Sequence, residues 1–168
     1  MKRKLGNTAG LYGIDASDFS LSRAEKFGIK IFKKDVSKIS KFDFVDEKID
    51  YIFLLEVVEH VQNSEKLVAA AFEKSEKGVF VSVPNTGYFL HRLRLLLGRF
   101  PLQWREHPSE HVRFWTRRDM VWWLDALGYE NREIFVYKGI PVANKIFPSL
   151  FGAGMIVFIK KEEKNHQR

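Results

Sequence analysis

The chain has 168 residues, of which 45% are apolar and 14% aromatic, enough to bury the core of a single domain spanning residues 1–168. It has no cysteine, which excludes disulfides and thiolate metal sites, and no run of 18 apolar residues, which argues against a membrane span. No apolar signal region follows the basic first residues, so we expect a cytoplasmic protein, with flexible ends at residues 1–10 and 161–168. The net charge of +7 would attract nucleic acid, anionic lipid or anionic small molecules, although ordinary solubility explains it equally well.

The first third of the chain alternates short apolar runs with one helical pattern. Residues 11–15, LYGID, and residues 29–32, IKIF, predict two strands. The helix between them has Ser17 as its N-terminal cap and Gly28 as its end. Residues 50–55, DYIFLL, predict a third strand, which is apolar throughout and is therefore expected to be covered on both faces.

The middle of the chain predicts a second helix and a fourth strand. The helix begins at Asn63 or Ser64 and stops at Gly78. The strand GVFVSVP follows over residues 78–84 and ends at Pro84, which has no N–H to donate to a neighbouring strand.

A basic amphipathic helix is predicted over residues 88–97. Apolar residues recur there at helical spacing and arginines are interleaved with them, namely Phe89, Leu93, Leu96 and Leu97 with Arg92, Arg94 and Arg99. Two interpretations remain open. The helix either covers a crevice as a lid or core element, or lies on an anionic membrane surface.

The last third of the chain predicts one more helix and two more strands. Thr116 caps the helix, Asp119 stands at its third position, and Gly128 ends it. The strands cover residues 132–139 and 154–161. Because no long helix separates them, we expect them to pair antiparallel at one edge of the sheet.

Strands that alternate with helices predict an α/β fold with a mainly parallel sheet of the Rossmann-like kind. In such sheets, ligands bind beyond the carboxyl ends of the strands. Four polar residues stand at or just past predicted strand ends, namely Asp15, Asp35, Glu56 and Asn85. Asp15 can accept from both hydroxyls of a ribose, and Asp35 from an adenine amino group. The alternatives are an ordinary helix-start aspartate for Asp15 and an ordinary turn aspartate for Asp35.

The segment EVVEHV, residues 56–61, places two carboxylates and an imidazole within five positions. If the chain turns helical at Glu56, then Glu59 and His60 lie over it and all three can face one divalent cation. A second interpretation is a general base or substrate contact, because an imidazole is a common general base in proteins. A third is a helix start with favourable acids and a half-buried histidine.

Taken together, these segments resemble the class I S-adenosylmethionine-dependent methyltransferases of the type-11/type-23 kind. The resemblance spans roughly residues 11–160 and rests on LYGIDAS, KKDVS, IDYIFLLEVVEHV, GVFVSVPN and EHVRFWTRRDMVWWLDALGYE. NTGYFLHRLRLLLGRFP and SLFGAGMIVFIKK are similar to the MetW branch of methionine biosynthesis. The family's sheet order is 3-2-1-4-5-7-6.

The resemblance implies S-adenosylmethionine as cofactor and a small-molecule acceptor. Cofactor contacts are implied for Asp15 and Ala16 at the ribose, for Asp35 and Val36 at the adenine, and for Glu56. Catalytic roles are implied for Glu56, His60 and His111, and a substrate contact for Asn85. The alternative for His111 is a structural histidine that ties its loop to the sheet.

One departure from the family concerns its opening strand, glycine-rich turn and first helix. Only ten residues precede LYGID, and LGNTAG has two glycines but no strand before it, so these elements are expected to be missing. The strands that begin near Leu11 and Asp50 would then each keep an unpaired edge, which invites association with a second copy. Weak cofactor affinity is the expected consequence.

Two other functions stay open at this point. Glu56, Glu59, His60 and His111 resemble the metal site of small-RNA 2′-O-methyltransferases, in which a divalent cation binds the terminal ribose hydroxyls, and the positive charge would suit RNA. The second function is that of a non-catalytic, MetW-like protein that works beside homoserine acyltransferase.

Overall fold

The computed structural model describes residues 9–103, 107 and 110–162, which divide after Ser40 into two compact units. The predicted flexible ends lie largely outside these residues. Among the described residues, no helix is long and apolar enough to cross a membrane. The prediction of a single domain stays a prediction.

Among its described residues, the first unit holds a two-stranded parallel sheet, one α-helix and a short 3₁₀ helix at Val36–Lys38. Strands β1 (Tyr12–Asp15) and β2 (Lys30–Lys33) pair in parallel, with Asp15 opposite Lys33. Helix α1 (Asp18–Glu25) connects them. Ser17 caps it as predicted, because its side chain accepts from the Ser20 amide at 3.4 Å. Gly28 follows with φ +67°, a conformation that only glycine adopts without strain.

The second unit is built on a four-stranded sheet in the order β3-β4-β6-β5. Its strands are β3 (Ile49–Leu55), β4 (Ser75–Pro84), β5 (Arg132–Tyr137) and β6 (Gly154–Lys160). The β3–β4 pair is parallel, and β6 runs antiparallel to both β4 and β5. Among the described strands, β1 pairs only with β2, and β3 only with β4. Without its first strand, the family order 3-2-1-4-5-7-6 predicts two groups of neighbours, 3-2 and 4-5-7-6. The pair β2-β1 and the sheet β3-β4-β6-β5 have this order.

One face of this sheet is the core of the second unit. Val79, Val81, Val157 and Ile159 point to it and are fully buried. Helices α2 (Ser64–Lys74) and α4 (Arg117–Ala126) contribute Leu67, Val68, Met120 and Leu124, all buried as well. Thr116 and Asp119 form the predicted capping box of α4.

The opposite face of the sheet is only half covered, which corrects the expectation for β3. Phe53, Phe80 and Phe158 stack across three strands at 4.9 and 4.3 Å between ring centroids. Phe53 keeps 43% of its surface exposed, and Leu55 keeps 50%. An apolar strand sequence thus does not establish that both faces are covered, because coverage depends on what packs there.

Gly78 does not stop a helix, as expected from the sequence, but lies within β4. Helix α2 ends at Lys74 and β4 begins directly at Ser75. Gly78 has φ +148°, and a Cβ there would stand 2.3 Å from the carbonyl oxygen of Ile159 on the neighbouring strand. Glycine is needed at this point so that β4 and β6 can approach.

Three short helices complete the second unit. Helix α3 (Phe89–Leu96) lies within the predicted amphipathic segment. Helices α5 (Ala143–Ile146) and α6 (Pro148–Phe151) occupy the connection between β5 and β6. Phe89 of α3 contacts Phe151 of α6 at 5.6 Å between ring centroids, which holds these elements together.

Candidate active site

The first unit carries the residues predicted to bind the cofactor's nucleoside. Asp15 ends β1 and accepts from the Ser17 amide at 2.8 Å. Asp35 lies just past the end of β2, where the Lys34 amide donates to the Asp15 carbonyl. Because β1 and β2 are parallel neighbours, the two acids lie at the same end of this small sheet. Ala16 and Val36 directly follow them.

Asp35 has an internal hydrogen-bond network that fixes its side chain. Its Oδ1 accepts from the hydroxyl of Ser37 at 2.6 Å and from the amide of Ser37 at 3.0 Å. These hydrogen bonds, together with Lys38, lower the pKa of the Asp35 carboxyl. The side chain is therefore a charged acceptor at neutral pH.

In the second unit, Glu56 follows the end of β3 in a backbone conformation that is rare for its residue type. Its φ is +52°, in the left-handed region that disfavours side chains other than glycine. The Glu56 amide donates to both the carbonyl and the hydroxyl oxygen of Ser82, each at 3.1 Å. A backbone conformation of this kind costs about 1–3 kcal/mol and persists where neighbouring contacts hold it in place. Such conformations are common at functional sites.

The carboxylate of Glu56 is held by two hydroxyl donors. Ser82 Oγ and the phenol of Tyr137 each donate to Oε1 at 2.8 Å. Burial and the neighbouring Glu56 raise the pKa of Tyr137, so its phenol remains a donor across the physiological range. Neither partner was predicted from the sequence. The one available signal was a serine inside the otherwise apolar strand GVFVSVP.

Glu59 is a buried acid without a partner. Only 1% of its surface is exposed, and neither carboxylate oxygen has a hydrogen-bond partner among the described residues. Burial, with a smaller effect from the Glu56 charge, raises the pKa of Glu59 to about 8. Its backbone carbonyl accepts from the amides of Val112 and Arg113 at 2.9 and 3.2 Å, which brings the loop of His111 close to it.

His60 and His111 lie edge to face, 4.6 Å apart between ring centroids. The Nδ1 of His60 contacts the carbonyl oxygen of Glu110, and because a carbonyl only accepts, this nitrogen carries the proton. In this tautomer Nε2 carries no proton, and its lone pair can accept a proton or bind a metal. Burial, and then the charge of His60, lower the pKa of His111, which keeps that ring neutral at pH 7.

Glu59, His60 and His111 form a cluster with the composition of a cation site. One ligand atom from each residue lies within 4.8 Å of the others. Glu56, the fourth residue expected from the sequence, is not part of this cluster, since Ser82 and Tyr137 hold its carboxylate. The structure therefore separates the predicted set into a three-residue cluster and a neighbouring hydrogen-bonded acid.

The loop that carries His111 is fixed by Arg113. Its guanidinium binds both carboxylate oxygens of Glu65 at 2.5 and 2.9 Å, and Trp123 Nε1 donates to the same carboxylate at 2.9 Å. Burial alone would raise the pKa of Glu65, but the hydrogen bonds from Trp123 and Arg113 outweigh it and lower the pKa. A bidentate pair of this kind anchors the loop to α2 and α4.

Asn85 is fully buried, and its side-chain amide is engaged within the protein. It donates to the carbonyl oxygens of Gly152 and Ser149 at 2.7 and 3.2 Å, and its oxygen accepts from the amide of Gly87 at 2.9 Å. These bonds tie the end of β4 to the loop before β6. The role of Asn85 as a substrate contact stays a prediction, beside this structural role.

A cavity of about 800 Å³ lies at the opposite end of the second unit's sheet, lined in part by Lys48, Tyr51, Lys77 and Lys160. Two of its lysines are paired with acids, Lys77 with Asp50 at 2.6 Å and Lys48 with Glu76 at 3.1 Å. This cavity is at the amino end of β3 and β4, whereas ligands of such sheets bind at the carboxyl end.

The fold and the strand-end acids define an α/β protein of the methyltransferase type. The family model of the methyltransferase domain matches residues 6–134, and the chain belongs to this family. No curated protein matches the chain in sequence.

Solved structures share the fold at low sequence identity. A SAM-dependent methyltransferase from Archaeoglobus fulgidus has a TM-score of 0.62 at 14% identity, covering 89% of this chain and 75% of that one. The plantazolicin methyltransferase BamL, solved with a substrate analogue and SAH, has a TM-score of 0.61 at 14% identity, over 95% of this chain and 71% of that one. The small RNA methyltransferase HEN1 has a TM-score of 0.60 at 22% identity, over 90% of this chain but 20% of that one.

Proposed function

We propose that this protein is an S-adenosylmethionine-dependent methyltransferase. The observation that carries the proposal is the placement of Asp15 and Asp35 at one end of the β1–β2 pair, in a chain that belongs to the methyltransferase domain family. When bound, S-adenosylmethionine would supply a sulfonium methyl group: the lone pair of an acceptor would bond to the methyl carbon while the carbon–sulfur bond breaks, and S-adenosylhomocysteine would be the leaving group. The acceptor is a small molecule in this proposal.

The nucleoside-binding role falls to the first unit. Asp15 accepts from the two ribose hydroxyls, and its position at the strand end is fixed by its bond to Ser17. Asp35 would hold the adenine, because its charged oxygens can accept from the exocyclic amino group. Ala16 and Val36 supply backbone and apolar contacts beside them.

Proton removal and orientation of the acceptor fall to the second unit. Nε2 of His60 and the neutral ring of His111 are the groups able to take a proton from an acceptor O–H or N–H. Glu56, oriented by Ser82 and Tyr137, is a hydrogen-bond acceptor that positions the reactants. Correct alignment supplies much of the acceleration in a displacement of this kind.

A titration with S-adenosylhomocysteine, followed by calorimetry, tests the nucleoside role. Asp15→Asn should weaken binding by about tenfold, the effect of losing a charge-assisted hydrogen bond. Asp18→Asn is the matched control, because Asp18 forms only an exposed ion pair with Lys33 at 2.6 Å on the same unit. Equal affinities of the two variants would contradict the assignment of Asp15.

A second candidate is methyl transfer assisted by a divalent cation. The observation that favours it is the pair of unpartnered, buried oxygens on Glu59 beside His60 and His111. Carboxylate and imidazole ligands suit such an ion, which would lower the pKa of an acceptor hydroxyl. Ribose 2′-O-methylation of RNA is one such reaction. A non-catalytic MetW-like role has no comparable observation and stays a prediction.

Thermal unfolding with Mn²⁺ tests the metal option. An ion that binds the native state raises the Tm of the wild type, and Glu59→Gln should abolish the increase. Glu130→Gln, a change of an exposed acid, should keep it. A Tm that does not respond to Mn²⁺ in the wild type would remove this candidate and leave the histidines as bases.

A further inference from the structure

Helix α3 directs its apolar residues outward. Its sequence left two interpretations open, a lid or core helix and a helix on an anionic membrane surface, and Leu96 and Leu97 are 82% and 70% exposed. We call the exposed apolar residues of this segment the leucine surface, and they are Leu90, Leu93, Leu95, Leu96, Leu97 and Phe100. Contiguous exposed apolar residues of this extent mark interaction sites.

The helix is anchored to the second unit by its amino-terminal end. Phe89 packs against Phe151 of α6, and Arg92 donates to the carbonyl oxygen of Gly87 at 2.6 Å. At the other end, Arg94 donates to the carbonyl oxygen of Phe100 at 3.0 Å and fixes the following residues beside the helix. The leucine surface is therefore presented by a fixed element of the fold.

A second exposed apolar edge adjoins this anchor. Val142, Ile146 and Phe147, in and beside α5, are each more than 60% exposed. The ring centroids of Phe147 and Phe151 are 6.4 Å apart, and Phe151 also contacts Phe89. Both apolar edges therefore adjoin one aromatic cluster.

The charges around these edges have a single sign. Residues 87–103 contain three arginines, and residues 138–154 contain two lysines, while neither segment contains any of the 21 acids of the chain. Exposed leucines interleaved with cations fit a lipid bilayer with anionic headgroups, where apolar side chains enter the acyl boundary and cations meet phosphates. Nucleic acid would meet the charges but leave the leucines without apolar partners.

We propose that the leucine surface, together with the edge at α5, docks the protein onto an anionic membrane. Helix α3 has eight residues, about 12 Å of helix, so it lies in the plane of the interface and does not enter deeply. This docking is independent of whether the protein transfers methyl groups.

Flotation with vesicles tests the proposal on the full chain. The wild type should float with vesicles of phosphatidylcholine and phosphatidylglycerol and remain in solution with phosphatidylcholine alone. Leu96→Glu should lower the partition coefficient by about tenfold or more, because it removes apolar burial and adds a repelled charge. Arg99→Gln should lower it about fivefold on anionic vesicles.

Trp122→Glu is the matched control. Trp122 is a 71% exposed apolar residue on α4 that is not part of the leucine surface, and the same change of charge there should leave flotation intact. The proposal is overturned if the wild type does not float with anionic vesicles, or if Trp122→Glu loses flotation as completely as Leu96→Glu. It is also overturned if light scattering finds a lipid-free dimer that Leu96→Glu dissociates, or if the chain binds RNA but not vesicles.

Discussion

The buried, unpartnered carboxyl of Glu59 makes the stability of the protein depend on pH. Because burial raises its pKa from 4.5 to about 8, the folded state holds a proton that the unfolded state has lost at neutral pH. The protonated Glu59 carboxyl therefore contributes its full share to the free energy of unfolding below pH 4.5. This contribution is lost as the pH rises towards 8. Glu59→Gln removes the titrating group while keeping its shape.

The size of the effect follows from the two pKa values. Linkage gives a loss of about 3.5 kcal/mol in the free energy of unfolding between pH 5 and pH 8. That is a large part of the 5–15 kcal/mol typical of a domain. Urea denaturation at a series of pH values, in buffer with a chelator, measures it as the difference between wild type and Glu59→Gln.

The difference between the two proteins isolates Glu59 from other titrating groups. The lowered pKa of His111 acts with the opposite sign, but it contributes to both proteins and cancels to first order. Glu130→Gln, which changes an exposed acid, should follow the wild type. Parallel pH profiles for wild type and Glu59→Gln would refute the reasoning, since they would mean that the Glu59 carboxyl titrates at its ordinary value.

Three further variants test the framework of the second unit by urea denaturation. Tyr137→Phe removes the donor to Glu56 and should cost about 1 kcal/mol, and a change within error would mean that this hydrogen bond adds nothing. Gly78→Ala should lower the free energy of unfolding by about 2 kcal/mol or more, because its Cβ would meet the carbonyl oxygen of Ile159. Gly98→Ala should lower it by only about 1 kcal/mol, because Gly98 has φ +70° but open space around it. Equal losses for the two variants would contradict the close approach of β4 and β6. Thr116→Ala should cost about 1 kcal/mol by opening the capping box of α4, and an unchanged midpoint would speak against the cap.

Much of the local structure was predictable because its causes are local. The Ser17 and Thr116 caps, and Gly28 and Gly128 past the helix ends, are determined by nearby residues. The strand order within each unit also followed from the resemblance to the family.

Features that depend on tertiary contacts were not predictable. Glu56 and Tyr137 are 81 positions apart in the chain, and no periodicity indicates that their side chains meet. Apolar spacing in α3 left both a lid or core helix and a membrane-surface helix open, because spacing does not say whether anything packs on the leucines. Likewise Asn85 reads as a strand-end ligand, while its burial and three hydrogen bonds emerge only from the fold.

The central claim is that the acids at the ends of β1 and β2 bind the nucleoside of S-adenosylmethionine. A crystal structure of the chain with S-adenosylhomocysteine tests it most directly. We expect both ribose hydroxyls within hydrogen-bond distance of the Asp15 carboxylate and the adenine beside Asp35. A nucleoside bound elsewhere, with neither acid in contact, would contradict the account.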